Sequence, residues 1–169
     1  MDLEKIKNHE RFAYCGLYCP SCSVFIASQE DPARLQVIAD KMNKTVEETR
    51  CNGCRLEKLC SYFLSCDLKP CVISKGIDFC SQCAEYPCPK LKSFQEKMPH
   101  RAELFESLDY VRDHSVEKWE EKMIRDYSCR KCGKINSPYF INCKSCNTFP
   151  GNDFIKRNLE RIRNHLIKK

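Results

Sequence analysis

Apolar residues recur at helical spacing near both ends of the chain, and the stretch between shows no sustained period. Leu35, Ile38 and Met42 share one face of a predicted helix, with Asp31 as its N-cap and Pro32 at its first position. The apolar run Val24 to Ala27 predicts the start of a short helix ahead of it. Thr45, with Glu48 three residues on, predicts a capping box and a further turn of helix leading into Cys51. Downstream, Leu91 and Phe94, then Leu104, Leu108 and Val111, then Val116, Trp119 and Met123 predict three more helices, the last opened by Ser115. Ile155, Leu159, Ile162 and Leu166 predict a terminal amphipathic helix with a basic polar face. From Cys51 to Cys88 a cysteine recurs every few residues, with room only for a short helix around Cys71 to Lys75, closed by Gly76.

The composition changes what this pattern means. The hydrophobic share is 42%, but it includes 15 cysteines among 169 residues, so a conventional apolar core is thin and crosslinks are expected to help hold it. Met1 is followed by Asp2, Glu4 and Lys5 with no apolar run resembling a signal peptide, and no apolar stretch is long enough to span a bilayer. The expectation is a cytoplasmic protein with no membrane contact, whose thiols stay reduced. Reduced thiols in C-x2-C clusters point to metal, and an odd total argues against a fully paired disulfide framework.

Cys129-x2-Cys132 and Cys143-x2-Cys146 have the form of two facing zinc knuckles. Each knuckle needs a tight turn after its second cysteine, and Gly133 and Asn147 are residues that tolerate the left-handed conformation. The ten residues between the pairs, with Pro138, Tyr139, Phe140 and Ile141, predict a zinc-ribbon β-hairpin followed by a helix. Four thiolates fill the coordination shell, so the site is expected to be closed and structural, although a rubredoxin-like iron site would use the same ligands.

The other eleven cysteines are Cys15, Cys19, Cys22, Cys51, Cys54, Cys60, Cys66, Cys71, Cys80, Cys83 and Cys88. They divide into two four-ligand sites with three thiols to spare, or into three sites one ligand short, with His9 and His100 the nearest histidines to make up the set. The expected cofactors are two or three zinc ions, with an iron–sulfur cluster within residues 15–88 as the alternative. Cys15-x3-Cys19-x2-Cys22 has the spacing of the cluster motif in radical S-adenosylmethionine enzymes, but no parallel barrel follows it here. The formal charge of +6 would be cancelled by three zinc–thiolate sites of about −2 each. The basic excess lies in residues 129–169, with ten Lys or Arg against two Asp or Glu, and gives that segment a possible nucleic-acid or protein partner.

Several motifs together resemble a known family. Ala13-Tyr-Cys-Gly-Leu-Tyr-Cys-Pro-Ser-Cys22, Cys51-Asn-Gly-Cys54, Cys66, Cys71, Lys75-Gly76, and Cys80-x2-Cys83-Ala-Glu-Tyr-Pro-Cys88-Pro-Lys-Leu91 closely resemble the bacterial and archaeal family known as domain of unknown function 3795. The resemblance runs over residues 12 to about 97 and continues in longer members, which have a stretch like His100 to Leu104 and a terminal zinc ribbon. It implies a compact cysteine-rich metal-binding domain and supplies no activity. The family pattern places a cysteine about where Phe63 stands, and here Cys60 is the neighbouring thiol.

The expected architecture is a small metal-organised protein, mainly α with irregular cysteine-rich loops. Its expected parts are a metal-binding domain over 1–97, a helical connector over 98–127, and a zinc ribbon with a basic helix over 128–169. A binding or adaptor role is expected, with an iron–sulfur redox protein or enzyme as the alternative, since no Ser/His/Asp set, phosphate loop or paired carboxylates are placed for catalysis.

Overall fold

The computed structural model describes residues 11–56 and 66–167, so Cys60 and His9 lie outside the described residues. The chain forms two compact units, Met1–Tyr86 and Pro87–Lys169, here units 1 and 2. No helix among the described residues is long and apolar enough to cross a membrane.

In unit 1, α1 (Ser23–Glu30) packs on α2 (Pro32–Met42), and α2 on the single turn α3 (Val46–Thr49). Asp31 Oδ1 accepts from Arg34 N–H at 3.0 Å, capping α2 as the sequence predicts. Leu35 and Ala39 are its most deeply buried residues. Asn43 ends it in a left-handed conformation (φ 52°), which lets Lys44 N–H reach Ala39 O at 3.0 Å. Thr45 and Glu48 form the reciprocal capping box. The helix expected near Cys71 begins earlier, as α4 (Leu68–Ser74), and the chain leaves it through Gly76 at φ 63°.

Unit 2 is built from α5 (Pro89–Glu96), α6 (Leu104–Asp113), α7 (Val116–Tyr127) and α8 (Asp153–Ile167). α7 packs against both α6 and α8. Ser115 caps α7, accepting from Lys118 N–H at 3.4 Å. The core holds Leu104, Leu108, Trp119, Phe154, Ile155 and Ile162, each no more than 1% exposed. Trp119 Nε1 donates to Ser107 Oγ at 2.9 Å, which satisfies the one polar atom of that buried ring. α8 departs from helical geometry at Asn158 (φ −115°, ψ 19°), whose side-chain amide donates to Glu103 Oε1 at 2.6 Å and to Phe154 O at 3.1 Å. Leu166, expected on its apolar face, is exposed near the end of the helix.

The expected zinc-ribbon β-hairpin does not form. Among the described residues there is no strand, and the pairing stops at one isolated antiparallel bridge between Ser128 and Ile135. The reason lies in the intervening residues. Cys129 N–H to Lys134 O and Asn136 N–H to Tyr127 O, each 2.8 Å, make that bridge, and beyond it Phe140 N–H closes a turn on Ser137 O at 2.9 Å around Pro138, which has no N–H to give a ladder. The segment instead packs as a loop, with Phe140 buried and Ser137 fully enclosed.

Gly151 is fixed by space. A Cβ there would lie 2.3 Å from Phe140 O and 3.1 Å from Asn142 C, both backbone atoms. Gly151→Ala is therefore expected to lower the melting temperature of the protein clearly, whereas Gly133→Ala, with nothing within 4 Å but φ at 71°, should cost only about 1 kcal/mol of backbone strain. Thermal denaturation followed by circular dichroism tests the order, and equal effects would contradict it.

Candidate metal centre

The end of α7 and the start of α8 bracket the loop that carries Cys129, Cys132, Cys143 and Cys146. Their four sulfurs lie within 4.8 Å of one another, with Cys129 to Cys146 and Cys132 to Cys143 each at 3.6 Å. Two turns of the same design make this possible. Gly133 N–H bonds to Cys129 O at 2.9 Å with Gly133 at φ 71°, and Asn147 N–H bonds to Cys143 O at 2.8 Å with Asn147 at φ 56°. Both left-handed positions fall where the sequence expects them, and each returns a second bond, Cys129 N–H to Lys134 O and Cys143 N–H to Thr148 O.

Donors around the sulfurs set their protonation. Cys146 is pulled down to about 6 by the Thr148 hydroxyl, whose oxygen is 3.2 Å away, and by the Thr148 N–H. Burial pushes the Cys143 thiol up, but the Cys146 N–H, the Asn136 amide and the Ser145 N–H outweigh it and the net shift is downward. At Cys132 the Lys134 N–H acts to lower the value, yet burial and the three crowded thiols carry it up to about 11. Four thiols this close cannot all ionise unless a cation takes up the charge.

Asn136 ties the two turns together and was not apparent as a site residue from the sequence. Only 2% exposed, it donates through Nδ2 to Lys134 O at 2.9 Å and Cys143 Sγ at 3.4 Å, and its Oδ1 accepts from Lys144 N–H at 3.0 Å. Asn152, also buried, donates to Asn136 O at 3.0 Å and caps α8 by accepting Ile155 N–H at 2.8 Å. Arg130, inside the first turn, makes two bonds to Asp153 at 2.7 and 2.8 Å, holding the loop to the first residue of α8. Asparagines paired with a knuckle are invisible to a search for ligand types; only the Asn-Asp step before an apolar period signals the cap at Asn152.

The residues fit a tetrahedral ion. Four sulfurs bound at about 2.3 Å to a central zinc stand about 3.8 Å apart, close to the separations seen. No fifth protein ligand joins the set among the described residues.

The unit 1 thiols are arranged differently. Cys15, Cys19, Cys51, Cys54 and Cys80 are buried, Cys66, Cys71 and Cys83 half-buried, and Cys22 exposed at the start of α1. Cys88, in unit 2, is half-buried at the N-cap of α5. Among the described residues no second set of three His, Cys, Asp or Glu ligand atoms shares the compact spacing of the C-terminal four. Burial pushes the Cys19 thiol up to about 12 and raises Cys15 and Cys54 as well. Cys83 goes the other way, lowered first by the Glu85 N–H and then by Lys75, whose ammonium lies 3.2 Å from its sulfur.

These features define a mainly helical, cysteine-rich protein with a four-thiol cluster able to hold a metal ion. Residues 11–93 match the family described as a protein of unknown function, DUF3795, and the chain belongs to that family. The match ends before the four-thiol cluster begins. No curated protein and no solved structure matches the chain.

Proposed function

We propose that Cys129, Cys132, Cys143 and Cys146 hold one zinc ion as a closed structural site, and that the protein is a zinc-organised binding module. The observation that carries this reading is the convergence of four sulfurs at tetrahedral spacing with every ligand position taken by thiolate. A zinc held in this way has no vacant position for water or substrate, so its work is to fix the loop between α7 and α8.

That loop and helix present the binding surface in this reading. Arg157 is committed to Glu103 through two bonds of 2.8 Å, and Arg130 to Asp153. Lys131, Lys134, Lys144, Lys156, Arg161 and Arg163 are exposed, and they suit a polyanionic partner such as single-stranded nucleic acid. Deleting α8 would remove Phe154, Ile155 and Ile162 from the core, so charge reversal is the cleaner test. Binding of a fluorescent oligonucleotide at low salt should weaken at least about tenfold in Arg161→Glu/Arg163→Glu, with zinc content unchanged. An intact protein that binds no oligonucleotide at low salt would remove the nucleic-acid partner while leaving the zinc reading standing.

A further inference from the structure

Three aromatic side chains lie in the loop between α7 and α8, and two of them serve the fold. Phe140 is buried, and the Tyr139 hydroxyl bonds to His100 Nδ1 at 2.6 Å. Phe149 is the exception. It is 52% exposed, and among the described residues it stacks on no other ring and lies under no cation.

A single exposed apolar side chain is ordinary on a protein surface, so exposure alone says little. The backbone around Phe149 says more. Thr148 O accepts Cys143 N–H at 2.9 Å and Gly151 N–H donates to Ile141 O at 2.7 Å, so the chain is held one residue before the ring and two residues after it. Gly151 lies against the backbone of Phe140 and Asn142 with no room for a Cβ, and Asn152, 1% exposed, donates to Asn136 O at 3.0 Å. The second cysteine turn, closed by Asn147 N–H on Cys143 O, ends two residues before Phe149. A fixed backbone thus presents the ring to solvent, and a planar partner that lands on it has little left to order.

The charge on the same loop selects the partner. Residues 128–152 include Arg130, Lys131, Lys134 and Lys144 and no Asp or Glu. A zinc–thiolate centre of about −2 leaves this loop positive. α8 adds Lys156, Arg157, Arg161 and Arg163 against Asp153 and Glu160, and Asp153 is already bonded to Arg130. An aromatic face among cations suits a ligand that combines a flat π-surface with negative charge, as an unpaired base on its phosphate backbone does. Bases inside a duplex stack on each other and offer no such face.

We propose that Phe149 is the base-stacking residue of the basic surface and gives that surface a preference for single strands over duplex. This role rests on the nucleic-acid reading above and adds a base contact to its phosphate contacts. Salt separates the two contributions, because counterion release weakens phosphate contacts as salt rises and stacking carries no such term.

The test measures binding of the full chain, loaded with zinc, to three labelled probes across a salt series. They are a single-stranded oligonucleotide, its duplex, and an abasic strand of the same length. Phe149→Ala and Phe149→Leu should each weaken the single strand at least about fivefold with the salt slope unchanged. Both should leave the abasic strand and the duplex within about twofold of the parent protein, with native zinc content and Trp119 emission. Phe149→Trp should bind the single strand at least as tightly as the parent. Arg161→Glu/Arg163→Glu should instead weaken all three probes and flatten the salt slope. Unchanged single-strand affinity in Phe149→Leu would overturn the stacking role and leave the phosphate contacts standing. So would an equal loss on the abasic strand. A parent protein that binds no single strand at low salt would remove both readings together.

Discussion

Removing the metal from Cys129, Cys132, Cys143 and Cys146 is expected to unfold unit 2. Residues 128–152 contain no helix or strand to fix their path, and only a handful of backbone bonds close their turns. The same residues seat Phe140 and Asn136 in the core and deliver the chain to α8, whose Phe154, Ile155 and Ile162 are fully buried. Structural zinc contributes on the order of 10 kcal/mol to small metal-organised folds, comparable with the whole stability of a typical domain. The only tryptophan, Trp119, is fully buried in unit 2 and reports on it directly. Titration with a strong chelator should shift Trp119 emission to longer wavelength in step with metal release, and Cys143→Ser should do the same without chelator. Because zinc binding displaces protons from the thiols, acid should release the metal and reproduce the shift, whereas raising the pH should protect it. Unchanged emission after complete metal removal would show that the helical core stands without the ion.

The chain announces its helices and its C-terminal ligands more clearly than its loops. Asp31, Thr45 and Ser115 cap helices as their side chains require, because capping is a local contest that the nearest few residues decide. Gly133 and Asn147 take the left-handed conformation for the same local reason. The path between the knuckles is not legible in the sequence, because spacing counts residues and is blind to their direction. Pro138, with no N–H to give, and the turn from Phe140 N–H to Ser137 O stop the pairing at the Ser128–Ile135 bridge. The packing together of the segments that carry Cys15, Cys54 and Cys80 depends on contacts spanning tens of residues, such as Arg55 to Phe12 and Cys80 to Tyr14, which local spacing does not reveal.

Asn136→Ala is expected to destabilise unit 2 although it replaces none of the four clustered cysteines. Its side chain, only 2% exposed, is the shared partner of Lys134 O, Lys144 N–H and the Cys143 sulfur. Lys134 O keeps the bond from Cys129 N–H, so Lys144 N–H is the backbone group that loses its partner, at a cost of about 1–3 kcal/mol. For a unit of this size that corresponds to a fall in Tm of roughly 5–20 °C. Asn136→Asp separates packing from charge. It keeps the shape and the acceptor for Lys144 N–H, but loses the donor to Cys143 and sets a carboxylate about where the amide now lies 3.4 Å from that sulfur. The aspartate variant should therefore release zinc at lower chelator concentration than Asn142→Ala, an exposed control whose amide bonds to Asn147. Equal zinc retention in the two variants would mean that Asn136 braces the loop without steadying the charge on the thiolate.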